Sequence, residues 1–255
     1  MRRPVALVTG ARRGIGLGIA KALASKGFDL AITDIAVDNA SESAVETLQN
    51  LGAKTLFIPA DIADLSSHEE TVQTITGAFG KIDCLVNNAG IGSKVRGDFL
   101  DLDPVNYDAI FNVNLRGTVF FTQAVLRAML QEKSAKTPRS IINISSVSAT
   151  MTSPDRLDYC MTKAGLAAFT QGLALRLAEH GISVFDIRPG IIRSDMTAVV
   201  TEKYDKLISG GLVPMKRWGE PDDLGRIAAA LASGDFSFAT GSVIHADGAL
   251  SISRL

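Results

Sequence analysis

Tyr159 and Lys163 are spaced for proton transfer. Four residues apart, they fall on one face of a helix, one turn from each other. An ammonium beside a phenol favours the phenolate. From tyrosine's ordinary value of about 10, a fall of about two or three units gives an acid/base usable near neutral pH. Ser146, thirteen residues before the tyrosine, follows the strand-like run Ser140–Ile144, so it stands at a strand end. Its hydroxyl can hold a substrate oxygen. No histidine or lysine neighbours it in a turn after a strand, so it does not read as a nucleophile. A Y-x-x-x-K pair by itself also suits a solvated helix surface.

A second set of residues suits a phosphate. Thr9–Gly16 reads Thr-Gly-Ala-Arg-Arg-Gly-Ile-Gly between the apolar run Val5–Val8 and a helical pattern at Ile15, Ile19, Ala22 and Leu23. Gly10 permits a tight turn, Gly14 a close approach of backbone to ligand, and Gly16 close packing of helix on strand. The free amides and positive dipole end of the helix then favour a pyrophosphate. The spacing is G-x-x-x-G-x-G, not G-x-G-x-x-G, so a plain glycine turn is the alternative. Asp34 follows Gly16 by eighteen residues, just past the run Leu30–Thr33, where an acid can bond the adenosine ribose hydroxyls. A helix cap or solvated acid is the other reading of Asp34. Asn87-Asn88-Ala89-Gly90 ends the run Ile82–Val86 with two amides and two small residues, which can bond a buried turn and leave space for a ligand.

These groups need a scaffold, and the chain is long enough for one large α/β domain spanning 1–255. Hydrophobic residues make up 46% and charged residues 21%, and the net charge is −1. Nothing in that balance favours nucleic acid or an anionic membrane as partner. Arg2-Arg3 runs at once into Pro4 and the first strand, so no signal peptide is expected. No run of eighteen apolar residues indicates a membrane span. Cys84 and Cys160 are too few for a disulfide framework, so a reducing, cytoplasmic location is expected. His68, His180 and His245 are scattered and give no metal-ligand spacing.

In chain order, helices are expected at Gly14–Ser25, Ser41–Leu51, Asp64–Gly80, Pro104–Gln131, Asp158–Glu179 and Pro221–Ala232. Strands are expected at Val5–Val8, Leu30–Thr33, Lys54–Pro59, Ile82–Val86, Ser140–Ile144, Ile182–Ile187 and Ser242–Ala246. The alternation implies a parallel sheet with right-handed crossovers and ligands at the carboxyl ends of its strands. Asn112–Gly117 places two amides and a glycine inside a helix, where both residue types are poor. Such failures of propensity mark function or close packing. Residues 191–214 show no clear period and read as a mobile flap over the site.

In this order the pieces resemble the short-chain dehydrogenase/reductase family, in its compact single-domain branch, over nearly everything from Val5 to Gly248. The matching residues are T-G-x-x-x-G-x-G at Thr9–Gly16, N-N-A-G at Asn87–Gly90, Asn114, Ser146, Tyr159 with Lys163, and Pro189, Gly190 and Ser194. The resemblance implies a doubly wound Rossmann fold with helices on both faces and a nicotinamide-dependent oxidoreductase acting on a secondary alcohol or ketone. It implies that Tyr159 is the general acid/base and that Ser146 orients the reacting oxygen. Lys163 would bond the nicotinamide ribose and lower the tyrosine pKa. Asn114 would disrupt its helix and hold a relay water. The cofactor would rest on Gly10, Arg13, Gly14, Ile15, Gly16, Asp34, Asp61, Ile62, Asn88, Ala89, Gly90, Tyr159, Lys163, Pro189, Gly190, Ile192 and Ser194. Of these, Ile192 would meet the carboxamide through its backbone. One departure is Asp247-Gly248-Ala249 where the family has D-G-G.

Asp34 points to NAD, because NADP carries a 2′-phosphate where the acid lies. Arg13, with help from Arg12, points the other way, to NADP. An arginine of the turn need not point inward, whereas an acid ending the second strand cannot avoid the ribose, so NAD is expected, with NADP the alternative. Arg96, Ser148, Thr150, Asp155, Arg156, Met151 and Met196 surround the expected pocket, a mixture that favours a small polar sugar-like or hydroxy-acid substrate. Arg96 or Arg156 could bind a carboxylate. The alternative is a 3-oxoacyl-[acyl-carrier-protein] reductase, with Lys133, Lys136 and Arg139 forming part of a basic rim and His180 standing where a basic residue commonly ends the Tyr-Lys helix. A catalytically inactive nucleotide-binding regulator and a methyltransferase are readings of other classes. The first is disfavoured by the retained Tyr159 and Lys163, the second by their having no role in that chemistry. The family resemblance also implies a homotetramer, and the apolar stretch Leu166–Leu175 suits a buried helix.

Overall fold

The computed structural model describes residues 3–132, 137–198 and 201–254. Its frame is one parallel sheet of β1 (Val5–Thr9), β2 (Asp29–Asp34), β3 (Thr55–Pro59), β4 (Cys84–Asn87), β5 (Arg139–Ile144), β6 (Ile182–Pro189) and β7 (Val243–Ala246). The order is β3-β2-β1-β4-β5-β6-β7, and every neighbouring pair is parallel. Strands β1, β4 and β6 are buried at every residue, which is why β1 and most of β4 read as apolar runs, while β6 buries Asp186 and Arg188 as an ion pair at 2.8 Å. The chain winds outward from β1 to β3, returns to β4 on the other side, and continues to β7. The carboxyl ends of β1 and β4 therefore flank the switch point at which doubly wound sheets open a crevice.

Helices cover both faces. On one lie α1 (Gly14–Ser25) and α2 (Asn39–Asn50), with Ile19, Leu23, Leu48 and Phe185 in a shared core. On the other lie α3 (His68–Phe79), α4 (Pro104–Phe111), α5 (Thr118–Gln131) and α6 (Leu157–Leu177), whose core includes Ile75, Phe121, Val125 and Leu177. Asn112–Gly117 is a π turn between α4 and α5. A Cβ on Gly117 would collide with the Ile62 carbonyl, so this glycine allows the helix to press against the loop after β3.

Within the described residues of 191–214, where no period is legible in the sequence, the stretch holds α7 (Asp195–Ala198) and α8 (Thr201–Ser209). Ile208 alone is buried in α8, too little to set a readable period. It joins Val213 and Trp218 in a small core of their own, and the Trp218 indole donates to Asp205 at 2.7 Å. Asp34 is the last residue of β2 rather than one past it. The second half of α6 is not wholly buried. Ala168 and Leu175 face outward from this chain, as do Met161 and Ala164 earlier in the helix. Ala249, at the departure from D-G-G, has φ 70°. This left-handed conformation costs a residue with a Cβ roughly 1–2 kcal/mol, which explains why glycine suits the position.

The last helix, α9 (Pro221–Ala232), packs beside α1 and depends on one acid. Asp223 accepts the Glu220 amide at 2.9 Å and two bonds from Arg217 at 2.7 and 3.2 Å. The Arg217 hydrogen bonds, ahead of the Glu220 amide, hold its carboxyl down at about 2. Because that value lies below the unfolded one of about 3.9, the stabilisation is full above about pH 4 and is lost as pH falls toward about 2. Asp223→Asn keeps an acceptor for the cap and deletes the charge. Urea unfolding at pH 7 is expected to show the variant less stable by about 2 kcal/mol, with the gap closing between about pH 4 and pH 2. A gap independent of pH would assign the effect to packing.

Candidate active site

Thr9 ends β1, and its Oγ accepts the amides of Asn88 and Ala89, both at 3.0 Å. The Asn88 side chain donates back to the carbonyls of Thr9 and Gly10, each at 2.9 Å. The glycine turn and the turn after β4 are thus locked together. Gly10 has φ 63°, and a Cβ there would lie 2.9 Å from the Ala89 Cα. A Cβ on Gly16 would collide with the Gly10 carbonyl. Gly14 differs: its φ is 57° and nothing lies within 4 Å of where a Cβ would be. Open space therefore faces the start of α1, beside Ile15. Arg13 is the N-cap of that helix, makes no side-chain cap bond, and no acid follows in the first turn. Exposed amides, a favourable dipole and free space fit a pyrophosphate.

The two adjacent asparagines divide the work. Asn88 holds the turns, whereas Asn87 donates inward to Thr122 and Asn143, both at 2.8 Å. Asn143 in turn donates to Thr170 of α6 at 2.8 Å. This buried chain ties β4 and β5 to α5 and α6.

On α6, Tyr159 and Lys163 do share a face, with the Lys163 Nζ 5.6 Å from the tyrosine ring centroid. Lys163 is buried, and its only hydrogen bond among the described residues is to the Ile144 carbonyl at 3.1 Å. An ammonium carries three donors. Two are left for a ligand, which fits the ribose hydroxyls of a nicotinamide nucleotide. A Cβ on Gly90 would sit 3.2 Å from the Asn114 Oδ1 and 3.8 Å from the Lys163 Nζ, so Gly90, Asn114 and Lys163 meet at one point. Asn114 lies in the π turn and is wholly buried. Its amide clamps Ile91, accepting its N–H at 2.8 Å and donating to its carbonyl at 2.9 Å, and also donates to Thr162 at 3.3 Å. Ser146 is buried two residues past the end of β5 and accepts the Ser148 amide at 3.0 Å, which leaves its own proton free to donate.

The remaining candidates lie along the same edge. Asp61 is exposed and accepts the Ala63 amide at 2.9 Å, and Ile62 is buried beside it. Pro189 ends β6, and a Cβ on Gly190 would stand 2.7 Å from the Asp247 Cβ. The Ile192 carbonyl accepts from Thr197 at 2.9 Å, and the Ser194 amide donates to the same hydroxyl at 3.0 Å. Arg13 reaches away from Asp34 to pair with Asp195 at 2.8 Å. It is Arg12 that lies against Asp34, its Nε 3.6 Å from the carboxylate. Sequence reasoning gave Arg12 a minor part, and no signal in the turn distinguishes the two arginines. It also missed Ser93 and Asp158, which bond at 2.6 Å and pin the loop after β4 to the start of α6.

Around the site, the Arg156 guanidinium lies 5.5 Å from the Tyr159 ring centroid, Arg96 is exposed, and Met151 is exposed. Arg139 is not part of a rim. It donates to the Met129 and His180 carbonyls at 2.8 and 2.7 Å, tying helix ends together. Lys133, Lys136 and the Met196 side chain lie outside the described residues. Burial pushes the Cys84 thiol up to about 12, and Cys160 fills a buried site beside Ser153. Among the described residues no cluster of acids, histidines and cysteines could hold a metal ion, and no helix is long and apolar enough to cross a membrane.

Residues 10–251 match the family described as Enoyl-(Acyl carrier protein) reductase. The chain is 34% identical over 246 residues to the 3-oxoacyl-[acyl-carrier-protein] reductase FabG of Staphylococcus epidermidis, covering 96% of this chain and 98% of that protein. It is 65% identical to a 3-oxoacyl-[acyl-carrier protein] reductase from Brucella melitensis solved in complex with NAD, with full coverage of both chains and a TM-score of 0.97. A protein from Agrobacterium tumefaciens, provisionally named a 2-deoxy-d-gluconate 3-dehydrogenase and solved with bound NADP, is 27% identical, with a TM-score of 0.86 and coverage of 97% and 96%.

Proposed function

This chain belongs to the short-chain dehydrogenase/reductase family of NAD(P)-dependent oxidoreductases, and from that premise we propose that it interconverts 3-oxoacyl and 3-hydroxyacyl thioesters with NAD(H). The 65% identity to the Brucella protein over both whole chains carries this reading. A feature of the surface supports it. The loop after β4 exposes Val95, Phe99 and Leu100, with Val105 beyond them, and carries exposed Lys94 and Arg96. The Ser93–Asp158 bond and a bond from the Gly97 amide to the Asp155 carbonyl set this loop against the start of α6, next to Tyr159. The same loop carries Asp98, Asp101 and Asp103, so its apolar side chains rather than its charge carry this support: an apolar margin suits an acyl chain better than the sugar-like substrate favoured by the pocket residues alone.

When bound, the nicotinamide supplies or takes up the hydride. Ser146 hydrogen-bonds the carbonyl oxygen through its free hydroxyl and orients it. Tyr159 gives that oxygen a proton in reduction and takes it back in oxidation. Lys163 bonds the ribose and places its positive charge beside the phenol. The Asn114 amide is committed to Ile91 and Thr162, so its main-chain carbonyl is the group to hold a relay water. Asp34 receives the adenosine ribose, and Arg13, Gly14 and Ile15 present amides to the pyrophosphate. The described parts of 191–214 are the candidate substrate flap, with α7 tied to the glycine turn through the Arg13–Asp195 pair. The exposed stripe of Met161, Ala164, Ala168 and Leu175 on α6, with Phe120 on α5, supports assembly into a homotetramer.

The test is a substrate panel of 3-oxoacyl thioesters, sugar acids and polyols, followed by the absorbance of the reduced cofactor. The expected outcome is a kcat/KM for the thioesters at least about 10²-fold above any sugar acid. Faster turnover of a gluconate-type substrate would replace this reading with the small polar one.

A further inference from the structure

Arg12 is held in a position unusual for a turn residue. Its side chain is only 10% exposed. Its guanidinium lies between two acids: Nη1 hydrogen-bonds Asp38, and Nε stands 3.6 Å from the Asp34 carboxylate. That Nε is buried and has no hydrogen-bond partner among the described residues. Asp38 has two duties. One carboxylate oxygen caps α2, accepting the amides of Ala40 and Ser41 at 3.0 and 3.2 Å. The other is given to Arg12.

The charges decide the consequence. Asp34 alone would repel a 2′-phosphate, and a free arginine beside it would attract one through a two-point bond. Here the arginine is anchored by a second acid, and the group of three carries a net charge of −1. Arg13, the other cation of the turn, is drawn away to Asp195. We propose that Asp38 is a specificity-determining residue, which restrains and neutralises Arg12 so that Asp34 rejects the 2′-phosphate of NADP unopposed. The inference rests on the reading that Asp34 faces the adenosine ribose. It implies that the turn carries a latent phosphate-binding arginine, released by the loss of one negative charge.

Asp38→Ser tests it, because serine retains a helix cap while deleting the charge. Dissociation constants for NAD⁺ and NADP⁺, measured by titration calorimetry without substrate, give the readout. Asp38→Ser is expected to tighten NADP⁺ at least about tenfold and to move NAD⁺ by less than about threefold. Adding Arg12→Ala should abolish the gain. Asp38→Asn, also able to cap, should reproduce it and guards against a folding defect in the serine variant. Unchanged NADP⁺ affinity in both variants, or a gain that persists without Arg12, would overturn the proposal. Asp34→Ala separates the two levels. If it shifts the NAD⁺/NADP⁺ ratio while the Asp38 variants do not, the role of Asp38 alone falls. If neither shifts it, the placement of the ribose falls too.

Discussion

Replacing Tyr159 with phenylalanine is expected to lower turnover by about 10²–10⁴-fold, the range for loss of a general acid/base, and to leave the cofactor dissociation constant within about threefold. The substitution removes one oxygen and keeps the ring, whose centroid is 5.6 Å from the Lys163 ammonium and 5.5 Å from the Arg156 guanidinium. Lys163 keeps its bond to the Ile144 carbonyl, so the group expected to hold the ribose stays in place. Steady-state kinetics on the best substrate of the panel, with cofactor binding measured separately, distinguish a lost proton transfer from a lost binding site. Retention of more than about a tenth of wild-type turnover would remove Tyr159 from the chemistry.

Selection between the two nicotinamide cofactors is the second large effect. Asp34 ends β2 beside the glycine turn, with its side chain 14% exposed. Two unit charges about 4 Å apart cost about 4 kcal/mol at an effective dielectric near 20, or about three decades in affinity. The kcat/KM for NADH is therefore expected to exceed that for NADPH by about 10³, and Asp34→Ala to shrink the ratio by about 10². Arg13→Ala is expected to leave it within about threefold, since Arg13 is paired with Asp195 and more than half exposed. A wild-type preference for NADPH would refute the assignment of Asp34.

The parts of this protein legible in its sequence are those that short-range physics controls. A strand buried on both faces is rich in apolar residues, so Val5–Val8 announces β1, and Ile182–Ile187 announces β6 despite Ser183 and Asp186. Tyr159 and Lys163 share a face because helix geometry places i and i+4 together. Asn112–Gly117 reads as a flaw in a helix because its residues are poor helix formers, and a π turn forms there. Gly10, Gly14 and Gly16 mark the turn because two of them adopt a conformation that a Cβ disfavours and the third leaves no room for one.

Direction and partnership lie beyond that range. Arg12 and Arg13 are neighbours of one type, yet one is buried against Asp34 and Asp38 and the other reaches out to Asp195. Asn87 and Asn88 likewise point to opposite sides, into the core and onto the glycine turn. Each choice is made by groups more than twenty residues away that arrive only when β2, β5 and α7 are in place. Helix α8 escaped notice for a related reason: its one buried residue, Ile208, finds its partners in Val213 and Trp218 across a loop. Propensity and periodicity act between near neighbours, whereas the pairing of charges, the satisfaction of buried amides and the docking of a polar helix depend on which distant elements the sheet order brings together.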